Sequence, residues 1–292
     1  MKSTKETILI TGATGHLGSN TINFLLEKIE PSQVIALVRD ESKASGLKEK
    51  EVDIRIGNYD DIVSLDKSME GVTKVLLVAG TDEENRLQQH KNVIDAAKKA
   101  GVKFIAYTSR TLKDRDTIVN KLMEGHFQTE DYIKESGLNY AIFRNVLYMD
   151  AIPQFVGAKV FETGIFLPAG QGKVPFAVRQ EMAEAIANVL ISDIDGNKIY
   201  NFTASQSYSF DDIALTLTEL SGKNVKYISP DKSVFESKMK ERGLPELIIQ
   251  KITGFLTDIK NGQEDEISAD LENLLGRKPK SLKEGLKSFY NL

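Results

Sequence analysis

The chain of 292 residues contains no cysteine. That removes disulfides, thiolate nucleophiles and every metal site built on Cys. It fits a reducing compartment without demanding one. Histidine is nearly as scarce: His16, His90 and His126 are the only three, and none has a second histidine three or four residues on. No metal site is expected. Basic residues are scattered, and Lys and Arg (38) are outnumbered by Asp and Glu (42) for a formal charge of -4. No basic run can neutralise a row of phosphates, so nucleic acid is not an expected partner. No apolar run approaches the roughly 18 residues that span a bilayer. The stretch from Met1 to Glu6 is polar and lacks the apolar core of a signal peptide. No membrane partner and a cytoplasmic location are therefore expected. Neither a phosphate-binding Gly-Lys-Ser/Thr loop nor a Gly-x-Ser-x-Gly elbow occurs, which sets aside NTPase and serine hydrolase chemistry.

What is present is ordinary globular composition, 41% hydrophobic and 27% charged. The length suits one large α/β domain with an added lobe, or two small domains. Short apolar runs at Thr7–Thr11, Val34–Val38, Val75–Ala79, Phe104–Thr108 and Tyr140–Phe143, with an interval ending in Val52-Asp-Ile-Arg-Ile56, alternate with stretches of helical spacing. Among the latter are 87–100 and 124–136, which end at Gly101 and Gly137. Near-continuous apolar strands separated by amphipathic helices predict a doubly wound parallel sheet covered on both faces. The second half is less regular. Phe161–Phe176, rich in Gly and Pro, reads as a loop or hairpin excursion. Glu181–Ile191 reads as a helix, and Lys198–Thr203 as a strand returning to the sheet. Ser209 and Asp212 form a capping box for a helix over 213–220. The expected division is a nucleotide-binding domain over 1–150 and 176–204, with a smaller, mostly helical substrate lobe over 151–175 and 205–292.

The first strand runs into Gly12-Ala-Thr-Gly15-His-Leu-Gly18 and then a helix. Glycines so placed permit the tight turn, the approach of backbone N–H groups to a pyrophosphate, and close helix–sheet packing. Strand before and helix after is the context that the motif requires. The fold expected is therefore Rossmann-type, with Gly12, Thr14, Gly15, His16, Leu17 and Gly18 at a dinucleotide. About 20 residues on, a NAD site would carry an acidic residue at the end of the second strand. Here Arg39 stands first, with Asp40 beside it. A guanidinium suits a 2′-phosphate, so NADP (as NADPH) is expected ahead of NAD, with Lys43 adding to the same pocket.

Several stretches resemble the NmrA-like group of atypical short-chain dehydrogenases. Within it they look like the type 2 NAD(P)H:quinone oxidoreductases and the related triphenylmethane reductases. These are Ala36-Leu-Val-Arg39, Gly57-Asn-Tyr-Asp60, Gln89-His-Lys-Asn-Val-Ile-Asp-Ala-Ala97, Gly101-Val-Lys-Phe-Ile-Ala-Tyr-Thr-Ser109, His126-Phe-Gln-Thr-Glu130, Ser136-Gly-Leu-Asn-Tyr140 and Arg144-Asn-Val-Leu-Tyr148, with Ser268-Ala-Asp-Leu-Glu272 and Leu275-Gly-Arg277 near the end. The resemblance implies an adenosine-phosphate site at 12–18 and Arg39, with Asn58 and Tyr59 near adenine. It implies Ala79 and Gly80 in the cofactor groove, and Thr108 and Ser109 near the nicotinamide ribose. Asn145 and Tyr148 would face the nicotinamide and the acceptor, and are the implied catalytic pair. The chain departs from the quinone-reductase pattern where a tryptophan and a Glu-Asn pair flank the tyrosine. Leu147 and Asp150-Ala151 stand there, nearer the triphenylmethane-reductase version, and Arg110-Thr-Leu-Lys113 replaces a small, His-bearing stretch.

Ordinary short-chain dehydrogenases pair a tyrosine with a lysine four residues on, which lowers the tyrosine's pKa. Here Tyr132, Tyr140 and Tyr148 meet Ser136, Arg144 and Ile152 instead. Alcohol oxidation and sugar-nucleotide epimerisation are disfavoured. Reduction of a small quinone-like or dye-like acceptor asks mainly for binding, orientation and exclusion of water. The expected activity is thus an NAD(P)H-dependent reductase, with a homodimer among the expected assemblies. The alternative is a non-enzymatic NADP(H)-binding redox sensor, because fold and glycine loop are common to both.

Overall fold

The computed structural model describes residues 6–157, 159–193 and 196–292. The polar Met1–Lys5 stretch lies outside them. Nine strands occur among the described residues: β1 (Ile8–Ile10), β2 (Val34–Val38), β3 (Asp53–Ile56), β4 (Lys74–Leu77), β5 (Phe104–Arg110), β6 (Asn139–Asn145), β7 (Ile165–Phe166), β8 (Lys198–Phe202) and β9 (Tyr227–Ile228). Seven form one sheet in the order β3-β2-β1-β4-β5-β6-β8. The chain starts in the middle, builds outward to β3, then crosses back to β4. The junction of β1 and β4 is therefore the topological switch point, where the carboxyl ends of strands in such sheets leave a crevice. Register is parallel across it, Leu9 facing both Ile35 and Val75.

Burial explains the apolar runs. All five residues of β2 are buried, as are those of β1. One face carries a core of Leu9, Ile35, Leu37, Val75, Leu77 and Ile105, covered by Val93, Ile94 and Ala97 of the helix Arg86–Lys99 and by Ile133 of the helix Glu124–Ser136. On the other face the helix His16–Leu26 packs with the helix Arg179–Ile191. With both faces dry, the strands need no polar alternation.

Packing divides the chain into two compact units. Of the described residues, the first takes those within 6–110, 124–144 and 179–200, and the second those within 111–123, 145–178 and 201–292. The second holds the helices Phe210–Ser221, Lys232–Glu241, Glu246–Lys260, Asp270–Leu275 and Leu282–Tyr290. Its segment 111–123 is tied to the helix Glu246–Lys260 and the turn after it. The buried Asp258 carboxylate accepts the N–H of Val119 at 2.6 Å and of Asn120 at 2.9 Å, and the Gln263 carbonyl accepts that of Lys113 at 2.9 Å. The 161–176 excursion differs from a hairpin in pairing with distant chain. Ile165 and Phe166 pair in parallel with Tyr227 and Ile228, and Val174 bridges Tyr208. Glycines there end the local turn, and the backbone groups find their partners across the unit. The capping box at Ser209 and Asp212 is formed, opening a helix at Phe210.

Candidate active site

Gly12 turns the chain out of β1 with φ +58, a left-handed conformation that glycine takes without strain. A Cβ here would press on Val78 at 3.1 Å, just past β4. Gly15 donates its N–H to the Gly12 carbonyl at 2.9 Å and caps the helix His16–Leu26 without any side-chain cap. No acidic residue stands in that helix's first turn. Thr14, Gly15 and His16 are exposed, whereas Leu17 and Gly18 are buried, so Leu17 can offer a ligand only its backbone N–H. A Cβ on Gly18 would overlap the Gly12 carbonyl oxygen, whereas one on Gly15 would meet only that oxygen, at 3.2 Å. Open N–H groups and the positive end of the helix together make a cradle for an anion.

At the end of β2, Arg39 and Lys43 are both exposed, and neither side chain makes a hydrogen bond or ion pair among the described residues. Asp40 is otherwise engaged. Its carboxylate accepts from the Ser42 hydroxyl at 2.6 Å and the Ser42 N–H at 3.0 Å, capping the turn Glu41–Ala44. Those two bonds, hydroxyl first, hold its pKa below the usual carboxylate value. The free guanidinium is thus the group available to a phosphate, as expected for NADP.

Around the switch point the other expected residues are joined by hydrogen bonds. The Tyr59 hydroxyl donates to the Val78 carbonyl at 3.0 Å and shares a short bond with the Thr11 hydroxyl. Thr11 Oγ1 also accepts the Val78 N–H at 2.9 Å. Burial pushes the Tyr59 pKa up to about 12, so its hydroxyl stays protonated and ties β1 to β4. The Ala79 N–H donates to Thr108 Oγ1 at 2.9 Å, which leaves the Thr108 proton free to donate. Asn58 is exposed, its backbone N–H bound to Ser64 Oγ at 3.1 Å.

Three side chains that the sequence reading gave no site role hold this floor in place. His90 is fully buried; its Nε2 accepts the Gly80 N–H at 3.0 Å, so Nδ1 carries the proton towards Thr129 Oγ1 at 2.9 Å. Burial, seconded by the nearby Arg86, lowers its pKa to about 3. Arg86 Nε donates to the Gly80 carbonyl at 3.2 Å, so Gly80, just after β4, is held at both its N–H and its carbonyl. Glu130, 1% exposed, accepts from Ser109 Oγ at 2.6 Å and from Arg144 Nε and Nη2 at 3.0 and 2.7 Å. Ser109 therefore spends its proton on Glu130 and offers lone pairs to a ligand. Glu130 was detectable as the acidic residue on the buried stripe of Phe127 and Ile133, since a carboxylate on a core face demands partners. His126 pairs its Nδ1 with the Tyr107 hydroxyl at 2.9 Å, and burial keeps its pKa well below the usual imidazole value.

Asn145 and Tyr148 belong to the second unit. Asn145 is 1% exposed; its Nδ2 reaches towards the Tyr148 hydroxyl at 3.4 Å, and its Oδ1 has no partner. An unpaired buried acceptor costs about 1–3 kcal/mol, which a ligand N–H or O–H would recover. Tyr148 is half-buried and forms a parallel bridge with Ala177. No group of three or more His, Asp or Glu that could hold a metal occurs among the described residues.

A family profile, the NmrA-like family, matches residues 4–290. The chain belongs to the NmrA-like family. Quinone oxidoreductase 2 of Escherichia coli (strain K12) is 34% identical over 286 residues, 98% of this chain and 99% of the relative. A crystal structure of Citrobacter sp. triphenylmethane reductase complexed with NADP(H) superposes with a TM-score of 0.89 at 35% identity, covering 97% of this chain and 99% of that one. The NADPH complex of the E. coli NADPH-dependent quinone oxidoreductase gives 0.89 at 33% identity, covering 98% and 100%. The NmrA-like chain thus shares its fold with its relatives over nearly its whole length.

Proposed function

We propose that the chain is an NADPH-dependent reductase that passes hydride to a quinone or a dye-like acceptor. The observation that carries this reading is the uncapped, acid-free glycine cradle at the switch point, with a free Arg39 at the adjacent strand end. Relatives named for NADPH-dependent quinone and triphenylmethane-dye reduction support it. Backbone N–H groups of 12–18 would hold the pyrophosphate, and Arg39 with Lys43 the 2′-phosphate. Thr108 would donate to the nicotinamide ribose and Ser109 accept from it. When bound, NADPH supplies the hydride. Asn145 would receive a donor at its unpaired Oδ1, and Tyr148 would orient the acceptor oxygen. Hydride addition leaves a delocalised hydroquinone anion, which takes its proton from solvent or from Tyr148. No lysine four residues beyond Tyr148 is needed for that step, and Ile152 stands there.

The test is NADPH consumption, followed by absorbance, against a panel of quinones and triphenylmethane dyes. Turnover of at least one class is expected. The Tyr148→Phe variant should lose about tenfold in kcat, equivalent to about 1.4 kcal/mol, with NADPH affinity unchanged. A loss beyond a thousandfold would make Tyr148 the obligatory proton donor. Tight NADPH binding with no turnover across the panel would replace the reductase reading with that of a redox sensor.

A further inference from the structure

Met149 follows Tyr148 directly and opens a short 3-10 turn, Met149–Ala151. Its backbone is pinned on one side, with its N–H donating to the Ala177 carbonyl at 2.8 Å. The Ala177 N–H in turn reaches the Leu147 carbonyl at 3.4 Å, so the residues either side of Tyr148 share one partner residue. The Met149 side chain is fully buried and runs to the helix Leu282–Tyr290. There it meets Gly285. A Cβ at that position would overlap Met149 Sδ and stand 3.4 Å from its Cγ and 3.2 Å from Phe289 Cε2.

Gly285 is not a turn residue. It sits within a helix, is buried, and is absent from the glycines with positive φ. Glycine is a poor helix former, so what its place demands is the missing side chain and not backbone freedom. The helix around it is otherwise firmly specified. Ser281 and Glu284 form a complete capping box, with the Glu284 carboxylate accepting the Ser281 N–H at 2.9 Å. Leu282 and Leu286 are buried on either side of the notch. A capped helix with one notch, filled by the residue next to Tyr148, is a rigid stop against which that turn is seated.

We propose that Gly285 is a positioning residue: by receiving Met149 it fixes the Tyr148 turn, which makes the C-terminal helix part of the acceptor machinery. The proposal rests on the reading above that Tyr148 orients the acceptor. Filling the notch displaces Met149 Sδ, and in a close-packed interior that displacement passes to the neighbouring backbone. The phenol then presents itself at the wrong angle. Small misplacements of an orienting group lower turnover more than they change cofactor binding.

The experiment compares wild type, Gly285→Ala, Met149→Val, the Gly285→Ala/Met149→Val double variant and Tyr148→Phe as full chains. Readouts are menadione reduction with NADPH, NADPH affinity by calorimetry, and thermal midpoint. We expect Gly285→Ala to lose about fivefold in kcat, with NADPH affinity within about twofold of wild type. The thermal midpoint should fall as well, because overpacking costs more than alanine gains in a helix, so kcat is compared well below it. Valine ends before the sulfur position, so the double variant should regain most of the lost kcat, a non-additivity expected of residues in contact and not of distant, independent ones. The proposal is overturned if Gly285→Ala turns over like wild type, if NADPH affinity falls as much as kcat, or if Met149→Val restores nothing. A Gly285→Ala chain that fails to fold also counts against it unless the double variant recovers both fold and turnover. Failure of the underlying reading is seen separately. If wild type is inactive, or Tyr148→Phe matches an active wild type, both fall together. If Tyr148→Phe is slow while Gly285→Ala is not, the positioning role alone is lost.

Discussion

At the residue scale, the proposed choice of cofactor rests on Arg39. Its guanidinium is unpaired at the end of β2, while Asp40, the group that would otherwise hold ribose hydroxyls, is bound to Ser42. Arg39→Ala should weaken NADPH binding by about 1.5–3 kcal/mol, roughly tenfold to a hundredfold, and barely affect NADH. Calorimetry with both cofactors checks this; equal losses, or none, would remove Arg39 from the phosphate site. The place of Arg39 at the end of β2 was legible in the sequence, since strand-end position and charge are both sequence properties. Glu130 and His90 carry no such signal of a site role, although a helix histidine is expected to bond a neighbouring segment, as His90 does. Their importance comes from what each reaches: Ser109 and Arg144 for Glu130, the Gly80 peptide for His90. Those partners come from other elements, and spacing along one helix does not name them.

At the scale of elements, the passage from β1 into its helix sets glycines with different physical duties side by side, Gly15 at the N-cap and Gly18 in the helix's first turn. Gly18 is pressed against the Gly12 backbone, whereas Gly15 faces open space apart from one carbonyl oxygen. Gly18→Ala should therefore cost stability, about 1–3 kcal/mol by overpacking, and shift the urea midpoint down. Gly15→Val should keep the fold and lose dinucleotide binding, because a side chain there fills the approach to the pyrophosphate. Circular dichroism with NADPH calorimetry separates the two. A folded Gly15→Val chain that still binds would reduce the loop to a structural turn. The helix Glu124–Ser136 and strand β2 begin and end where apolar periodicity predicts. The excursion over 161–176 does not, because β7 takes its hydrogen bonds from β9, some sixty residues on. Local pattern carries no record of such a partner.

At the scale of the whole molecule, stability should respond to pH through its buried imidazoles. Folded His90 titrates near 3 against an ordinary value of 6.5, so between those values the unfolded chain binds the extra proton. Stability is then greatest above pH 6.5 and is lost as pH falls towards 3. By pH 5 His90 alone should cost roughly 2 kcal/mol. In His90→Gln the amide can still accept the Gly80 N–H, and the drop in urea-unfolding free energy between pH 7 and pH 5 should shrink by about that amount. An unchanged drop would mean that His90 is hydrated or charged in the fold. Family, sheet class and the glycine cradle were fixed by the sequence itself, because apolar runs, glycine placement and strand-end charge act within a few residues of one another. Tertiary structure alone decided that β1 and β4 meet at the switch point, that Glu130 and His90 brace the site's floor, and that a notch at Gly285 seats Met149. Each of these depends on groups far apart in the chain that meet only when the core excludes water, and no local pattern encodes that meeting.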